Sequence, residues 1–182
     1  MERTELSIKI FGDVVLRRKA KQVKQVTREH QDVLSRMAQI MYESSGIGLA
    51  APQVGLSQAM IVVDIGSGLY KLINPRIVRK KGSQCLEEGC LSVPGVCIKV
   101  KRAQAVCVEA LDQYGKAQRI EAEGLLACVF QHEIDHLEGR LIVDYAPFWQ
   151  RMKLNKHLEG LSKKSKHERM PEPKAESCQL QL

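Results

Sequence analysis

The segment Gln131-His132-Glu133-Ile134-Asp135-His136 restricts this chain more than any other. It contains H-E-x-x-H. On a helix, His132 and His136 fall one turn apart on one face, each able to aim a ring nitrogen at a single metal ion. Glu133, next to the first histidine, then reaches a water at that ion and can take its proton. A surface helix that happens to carry two histidines is the plain alternative, and the preceding residues speak against it. Leu125, Leu126, Ala127, Cys128, Val129 and Phe130 are all apolar, and a glutamate placed among such residues needs a reason to be there. Leu125, Val129, His132 and His136 share one helical face, while Leu126, Phe130 and Leu137 form a second stripe for a core. Glu123-Gly124 opens this helix and Gly139 ends it.

The rest of the chain must supply the core around that helix. Its 182 residues suit one domain, and aromatics make up only 4%, so aliphatic side chains must do most of the filling. Thr27 is placed to cap a helix over 28–43, with Val33, Leu34, Met37, Ile40 and Met41 on its buried stripe. Strands are expected over 59–65, then over 69–74 and 76–79 on either side of Pro75, with Gly66-Ser67-Gly68 as the first turn. Alternation marks further strands at Val96, Ile98, Val100 and at Val106, Val108, Ala110. Asp112-Gln113-Tyr114-Gly115 makes a hairpin turn into a strand near 118–122. Val14, Val15 and Leu16 read as an apolar anchor near the start. Pro147 can begin a last helix that buries Leu154, Leu158 and Leu161. The expected fold is α+β: antiparallel strands packed around the central metal-binding helix, with an N-terminal and a C-terminal helix outside. One catalytic domain over 1–161 and a basic, then polar, flexible tail over 162–182 complete the expectation.

The six cysteines form no C-x-x-C pair, which favours free thiols for most of them in a reducing compartment. No apolar run approaches the roughly 20 residues of a membrane helix, and the N-terminus has no signal-peptide core, so a cytoplasmic protein is expected. The net charge is +7. Between Arg151 and Arg169 seven Lys or Arg face two Glu, a concentration that could draw the chain towards a polyanion such as RNA, or simply solvate a helix end.

Two histidines alone do not hold a catalytic ion, which ordinarily takes three protein ligands and leaves the fourth position open. One class of H-E-x-x-H proteases places a third His six residues after the second. Ile142 stands there, which excludes that class. Another class uses a Glu about twenty residues further on, and Glu159 is the candidate near that distance, though it lies in a basic amphipathic segment. The remaining candidate is Cys90, between Gly89 and Leu91. By itself it could be a core thiol, but a thiolate is a strong ligand for a divalent transition metal. The loop Gly46-Ile47-Gly48-Leu49-Ala50-Ala51-Pro52-Gln53-Val54-Gly55 is a poor helix and a poor strand and reads as a tight turn; Gln53 is its one long polar side chain.

At this point three stretches converge. Gly46 to Gln53, Glu88-Gly89-Cys90-Leu91-Ser92 and Gln131 to His136 resemble, in order and spacing, the three motifs of peptide deformylases, over roughly residues 5–150. That resemblance implies removal of the formyl group from formyl-methionyl nascent peptides, releasing formate. It implies Cys90, His132 and His136 as ligands of one divalent ion, Fe2+ by habit of the family, with Zn2+, Ni2+ or Co2+ as substitutes. Glu133 becomes the acid–base, and the Gln53 amide and the Leu91 backbone N–H the oxyanion donors. Ile47, Gly48 and Gly89 would offer backbone groups to an extended peptide. The methionine side chain would sit beside Leu125, Cys128, Val129 and His132, with Leu86 opposite. Arg102 matches a position near the site and could pair with Glu88. A monomer is expected, without DNA or membrane partners, whose basic last helix could dock near the ribosomal exit tunnel. Two departures stand out: Gly12-Asp13-Val14 where relatives often carry Pro-Asp-Pro, and Cys97 where some carry a basic residue. The competing readings are a metallopeptidase using Glu159 and an RNA-binding protein with a structural metal.

Overall fold

In the computed structural model, which describes residues 6–167, five antiparallel strands form one sheet in the order β1-β2-β3-β6-β7. These are β1 (Gly48–Ala50), β2 (Met60–Val63), β3 (Tyr70–Lys81), β6 (Ala105–Asp112) and β7 (Ala117–Glu123). Strands β4 (Gln84–Glu88) and β5 (Ile98–Arg102) pair separately as an antiparallel ribbon. Three helices complete the α+β architecture: α1 (Arg28–Glu43), α2 (Gly124–Leu137) and α3 (Phe148–His167).

The continuous apolar run of β2 follows from its place between two helices. Successive strand residues point to opposite faces. Ile61 and Val63 meet the core shared with Cys128, Val129 and Phe130 of α2, while Met60 and Val62 meet Leu34, Met37 and Met41 of α1. Both faces are buried, so there is no polar alternation to read. Phe130 is wholly buried in the first of these cores, and its truncation to alanine would cost about 3–5 kcal/mol. A third cluster joins Ile98 and Val100 of β5 to Ile10, Leu16, Ile142 and the α3 residues Leu158 and Leu161. That cluster anchors the β4–β5 ribbon, and with it Cys90, to the rest of the molecule.

Helix α1 begins and ends where expected. The Thr27 backbone N–H donates to Nδ1 of His30 in the first turn, and Ser45 adopts a left-handed φ of 54° after the last. Other expectations need correction. The Gly46–Gly55 stretch is not simply a turn: Gly48–Ala50 is an edge strand paired with β2, and Ala51–Val54 is a 3₁₀ turn. An edge strand needs only its backbone on one side, so the small residues serve close packing on the other. Pro75 does not break β3 in two. It falls at a register irregularity between Ile73 and Arg76, where a strand tolerates a missing N–H. Asn74, at φ 54°, uses its side chain there to bond both the N–H and the carbonyl of Val23. Strand β4 went unforeseen, because its alternation is masked by Gln84, Glu87 and Glu88. Val14 of the expected N-terminal anchor faces solvent, and only Leu16 of that trio is buried. Helix α3 runs through His167, into the start of the segment expected as a flexible tail, and Leu158 and Leu161 tie the helix to the third cluster. The rest of the expected tail, with Cys178, lies outside the described residues.

The N-terminal segment joins the two stretches that flank the motif helix. The Lys9 N–H donates to the Gln53 carbonyl and the Phe11 N–H to the Ser92 carbonyl, both at 2.7 Å. These bonds fix the distance between the Gln53 turn and the Cys90 turn.

Candidate metal centre

Helix α2 carries His132, Glu133 and His136 on the side facing β1 and the Cys90 turn, and all three are buried. The His132 and His136 rings meet edge to face, with their Nε2 atoms 3.2 Å apart. Cys90 Sγ lies 3.3 Å from Nε2 of His136. Among the described residues, the ligand atoms of Cys90, His132 and His136 all lie within 4.8 Å of one another. Glu159, the competing third ligand, is exposed on α3.

The chemistry of this donor set fits a divalent ion. A tetrahedral site with metal–donor distances of about 2.0–2.3 Å has edges of roughly 3.3–3.7 Å, close to the spacings seen here. Burial pushes the Cys90 thiol up to about 12; the N–H groups of Ser92 and Val93 oppose that rise, and the charges of Glu133 and Glu88 add to it. A thiolate here therefore needs a cation beside it. Burial, followed by the charges of His132, Arg102 and Arg17, holds His136 well below the ordinary histidine range. Its ring is neutral, as a ligand requires.

Glu88 fixes the orientation of His132. Its Oε2 lies 2.9 Å from Nδ1 of His132, so that nitrogen carries the proton and Nε2 turns its lone pair towards Cys90 and His136. Burial would raise the Glu88 carboxyl, but hydrogen bonds and charge from His132 and Arg102 outweigh it and hold Glu88 at about 2. Arg102 meets Glu88 with both Nε and Nη2, the latter at 2.8 Å, as the pairing suggested from the sequence requires.

Glu133 is wholly buried, and neither of its oxygens has a protein partner among the described residues. Burial is the main cause of a pKa raised well above the ordinary glutamate value, with the charges of Glu88 and Asp135 adding and that of Arg102 opposing. A carboxylate that burial disfavours as an anion accepts a proton readily and can hand it on, the behaviour of a general acid–base. Gln53 lies in the 3₁₀ turn. Its Oε1 accepts from the Ala50 N–H at 2.7 Å, which directs Nε2 to within 3.7 Å of Cys90 Sγ. Leu91 follows Cys90 in the same turn, its side chain against Gly46.

The residues named for a substrate groove gather around this centre. Ile47, Leu86 and Leu125 are partly buried and pack against the cluster that contains Cys128 and Val129. Gly48 lies in edge strand β1, and Gly89 is buried beside Cys90. Cys128 is wholly buried, and its thiol donates to Glu88 Oε1 at 3.1 Å. Sequence reasoning missed the bond from Glu88 to His132 and the roles of Asp135 and Tyr145 on Arg102. The position of Asp135 between Ile134 and His136 offered no signal by itself, and Tyr145 lies beyond the motif.

The fold thus brings the H-E-x-x-H of one helix against a cysteine that follows strand β4 of a separate ribbon. The family model of polypeptide deformylase matches residues 6–152. A peptide deformylase of Halothermothrix orenii is 52% identical over 141 residues, 76% of this chain and 92% of its own length. Among solved structures, a peptide deformylase from Legionella pneumophila superposes with a TM-score of 0.82 at 40% identity, covering 90% of this chain and 98% of its own. One from Synechococcus elongatus, solved in complex with actinonin, gives 0.79 at 43% identity, covering 88% and 87%. This chain belongs to the polypeptide deformylase family.

Proposed function

We propose that this chain hydrolyses the N-formyl group of formyl-methionyl nascent polypeptides, releasing formate, with Cys90, His132 and His136 as the ligands of one divalent ion. The observation that carries the reading is the convergence of those three donor atoms within 4.8 Å, beside a buried glutamate without a protein partner. A bound divalent ion would polarise the formyl oxygen and make a water acidic enough to attack at neutral pH. Glu133 takes the proton from the attacking water and delivers it to the departing amine. The Gln53 amide and the Leu91 backbone N–H donate to the oxygen that gains charge, and losing one such donor ordinarily lowers turnover by about 10²–10³.

The outer edge of β1, unpaired by any strand among the described residues, suits an extended peptide. Backbone pairing at Ile47 and Gly48, with Gly89 opposite, binds any sequence, as an enzyme acting on many chains requires. Leu86, Leu125 and Val129, with Cys128 behind them, would take the methionine side chain. Iron as Fe2+ is our proposed ion, with Zn2+, Ni2+ or Co2+ as substitutes, since a cysteine–histidine donor set accepts all of them. Anaerobic loading with each ion, followed by formate measurement on a formyl-Met peptide, tests this: formate with at least one ion supports the reading, and none with any of the four contradicts it.

No helix among the described residues is long and apolar enough to cross a membrane, and four of the six cysteines, Cys85, Cys90, Cys107 and Cys128, are free thiols. A monomer in the cytoplasm is the reading we favour, with residues up to about 161 as its single catalytic domain. On α3, Arg151, Lys153, Lys156, Lys163 and Lys164 are exposed, alongside Phe148, Trp149 and Met152. This face would dock on the ribosome near the exit tunnel. Reversing the charges of Lys153, Lys156, Lys163 and Lys164 should abolish co-sedimentation with ribosomes at low salt, and unchanged co-sedimentation would sink the idea.

A further inference from the structure

Four elements meet at the Arg102 guanidinium. From β5, its Nε and Nη2 reach the two oxygens of Glu88 on β4, and its Nη1 donates to Oδ2 of Asp135 on α2 at 2.8 Å. The ring of Tyr145, at the end of the 3₁₀ turn Ile142–Tyr145, stacks 5.1 Å from the guanidinium carbon. The Tyr145 hydroxyl donates to the same Asp135 oxygen at 2.6 Å. Tyr145 therefore touches Arg102 directly with its ring and indirectly through Asp135.

The inner end of this arrangement has no slack. Glu88 accepts two hydrogen bonds from Arg102, one from the Cys128 thiol and one from His132 Nδ1. A carboxylate has about four acceptor positions, so Glu88 cannot turn without breaking a bond. Its orientation is set by the plane of the guanidinium, and that plane is set from the far side by Asp135 and Tyr145. Arg102 is buried, with 5% of its side chain exposed, and Asp135 is partly buried at 15%, where such charge-assisted bonds are screened less than at the surface.

We infer that Asp135 and Tyr145 are positioning residues for the metal centre: they hold Arg102 so that Glu88 keeps the His132 ring aimed at the ion. The inference rests on the reading of Cys90, His132 and His136 as ligands. Tyr145→Phe keeps the stacked ring and removes the hydroxyl. Asp135→Ala removes the acceptor shared by Tyr145 and Arg102.

The experiment loads the full chain with cobalt and follows its loss to excess chelator, alongside the cobalt visible spectrum and the melting temperature of the metal-free chain. Asp135→Ala should speed cobalt loss on the order of 10–100-fold, the range typical of an outer partner of a ligand, and Tyr145→Phe about 3–10-fold. Both should alter the visible spectrum. The double variant should lose cobalt no faster than Asp135→Ala alone, because the hydroxyl acts through Asp135. Wild-type rates in both single variants would overturn the inference, as would effects that multiply in the double variant. So would faster loss that merely tracks a lower melting temperature with an unchanged spectrum. If the wild-type chain binds no cobalt, the ligand reading itself fails and this inference with it.

Discussion

Gly48 and Glu133 are packed so closely that a side chain at position 48 fits only if the carboxylate moves. A Cβ built on Gly48 would stand 2.9 Å from Glu133 Cδ and 3.0 Å from Val129 Cγ1, and still nearer to Glu133 Oε1. The edge strand that would receive a peptide thus lies directly against the proposed acid–base. Gly48→Ala should push the carboxylate aside and lower kcat about 10²-fold, the scale expected for a misplacement near 1 Å, with bound metal unchanged. Steady-state formate release and metal analysis check this; wild-type kcat would contradict it.

Glu133→Gln should lower turnover by about 10²–10⁴ while metal content stays the same. The same change should stabilise the metal-free chain near neutral pH. Burial raises the folded-state pKa of Glu133 above its ordinary 4.5. The folded chain therefore holds that proton to higher pH than the unfolded chain, and stability falls as pH rises between the two values. Glutamine cannot ionise, so this pH-dependent loss is absent from the variant, and the gap between the two forms closes below the ordinary glutamate range. Melting of both metal-free forms at pH 4 and pH 7 (chosen on the order of these limits) would show it. A gap independent of pH would contradict it.

Glu88 has the opposite sign. Held at about 2 against an ordinary 4.5, it contributes stability that is present above the ordinary value and is lost as pH falls towards 2. Glu88→Gln should therefore be less stable than the wild type at neutral pH, and the difference should shrink with acidification through that window. Denaturant titrations of the two proteins across the acid range measure it. Equal stability at neutral pH would mean that the pairing with Arg102 contributes nothing.

Cys90→Ser should abolish or severely weaken metal binding, whereas Glu159→Ala should leave both metal and turnover unchanged. The first residue supplies a donor atom beside His136 and the second is exposed on α3. Metal analysis after dialysis separates the two readings, and the reverse pattern would restore Glu159 as a ligand.

Much of this arrangement was legible in the residues. Thr27 and the Leu34, Met37, Met41 stripe marked α1, and the H-E-x-x-H spacing with its apolar neighbours marked α2, because helical periodicity is local. What escaped depended on tertiary placement. Pro75 looked like a strand break because propensity carries no knowledge of a bulge. The Gly46–Gly55 stretch looked like a turn because its smallness answers to Glu133 and Val129, some eighty residues away. Strand β4 was hidden by Glu88, a buried charge whose partners His132 and Arg102 come from other elements. No short-range pattern could show that Tyr145 reaches Asp135.

The most direct measurement is mass analysis of a formyl-Met tripeptide after incubation with the anaerobically metal-loaded chain. The account predicts an intact tripeptide that has lost its formyl group, with an equal amount of formate. A tripeptide cut at an internal bond with the formyl group still attached, or one left unchanged, would contradict it.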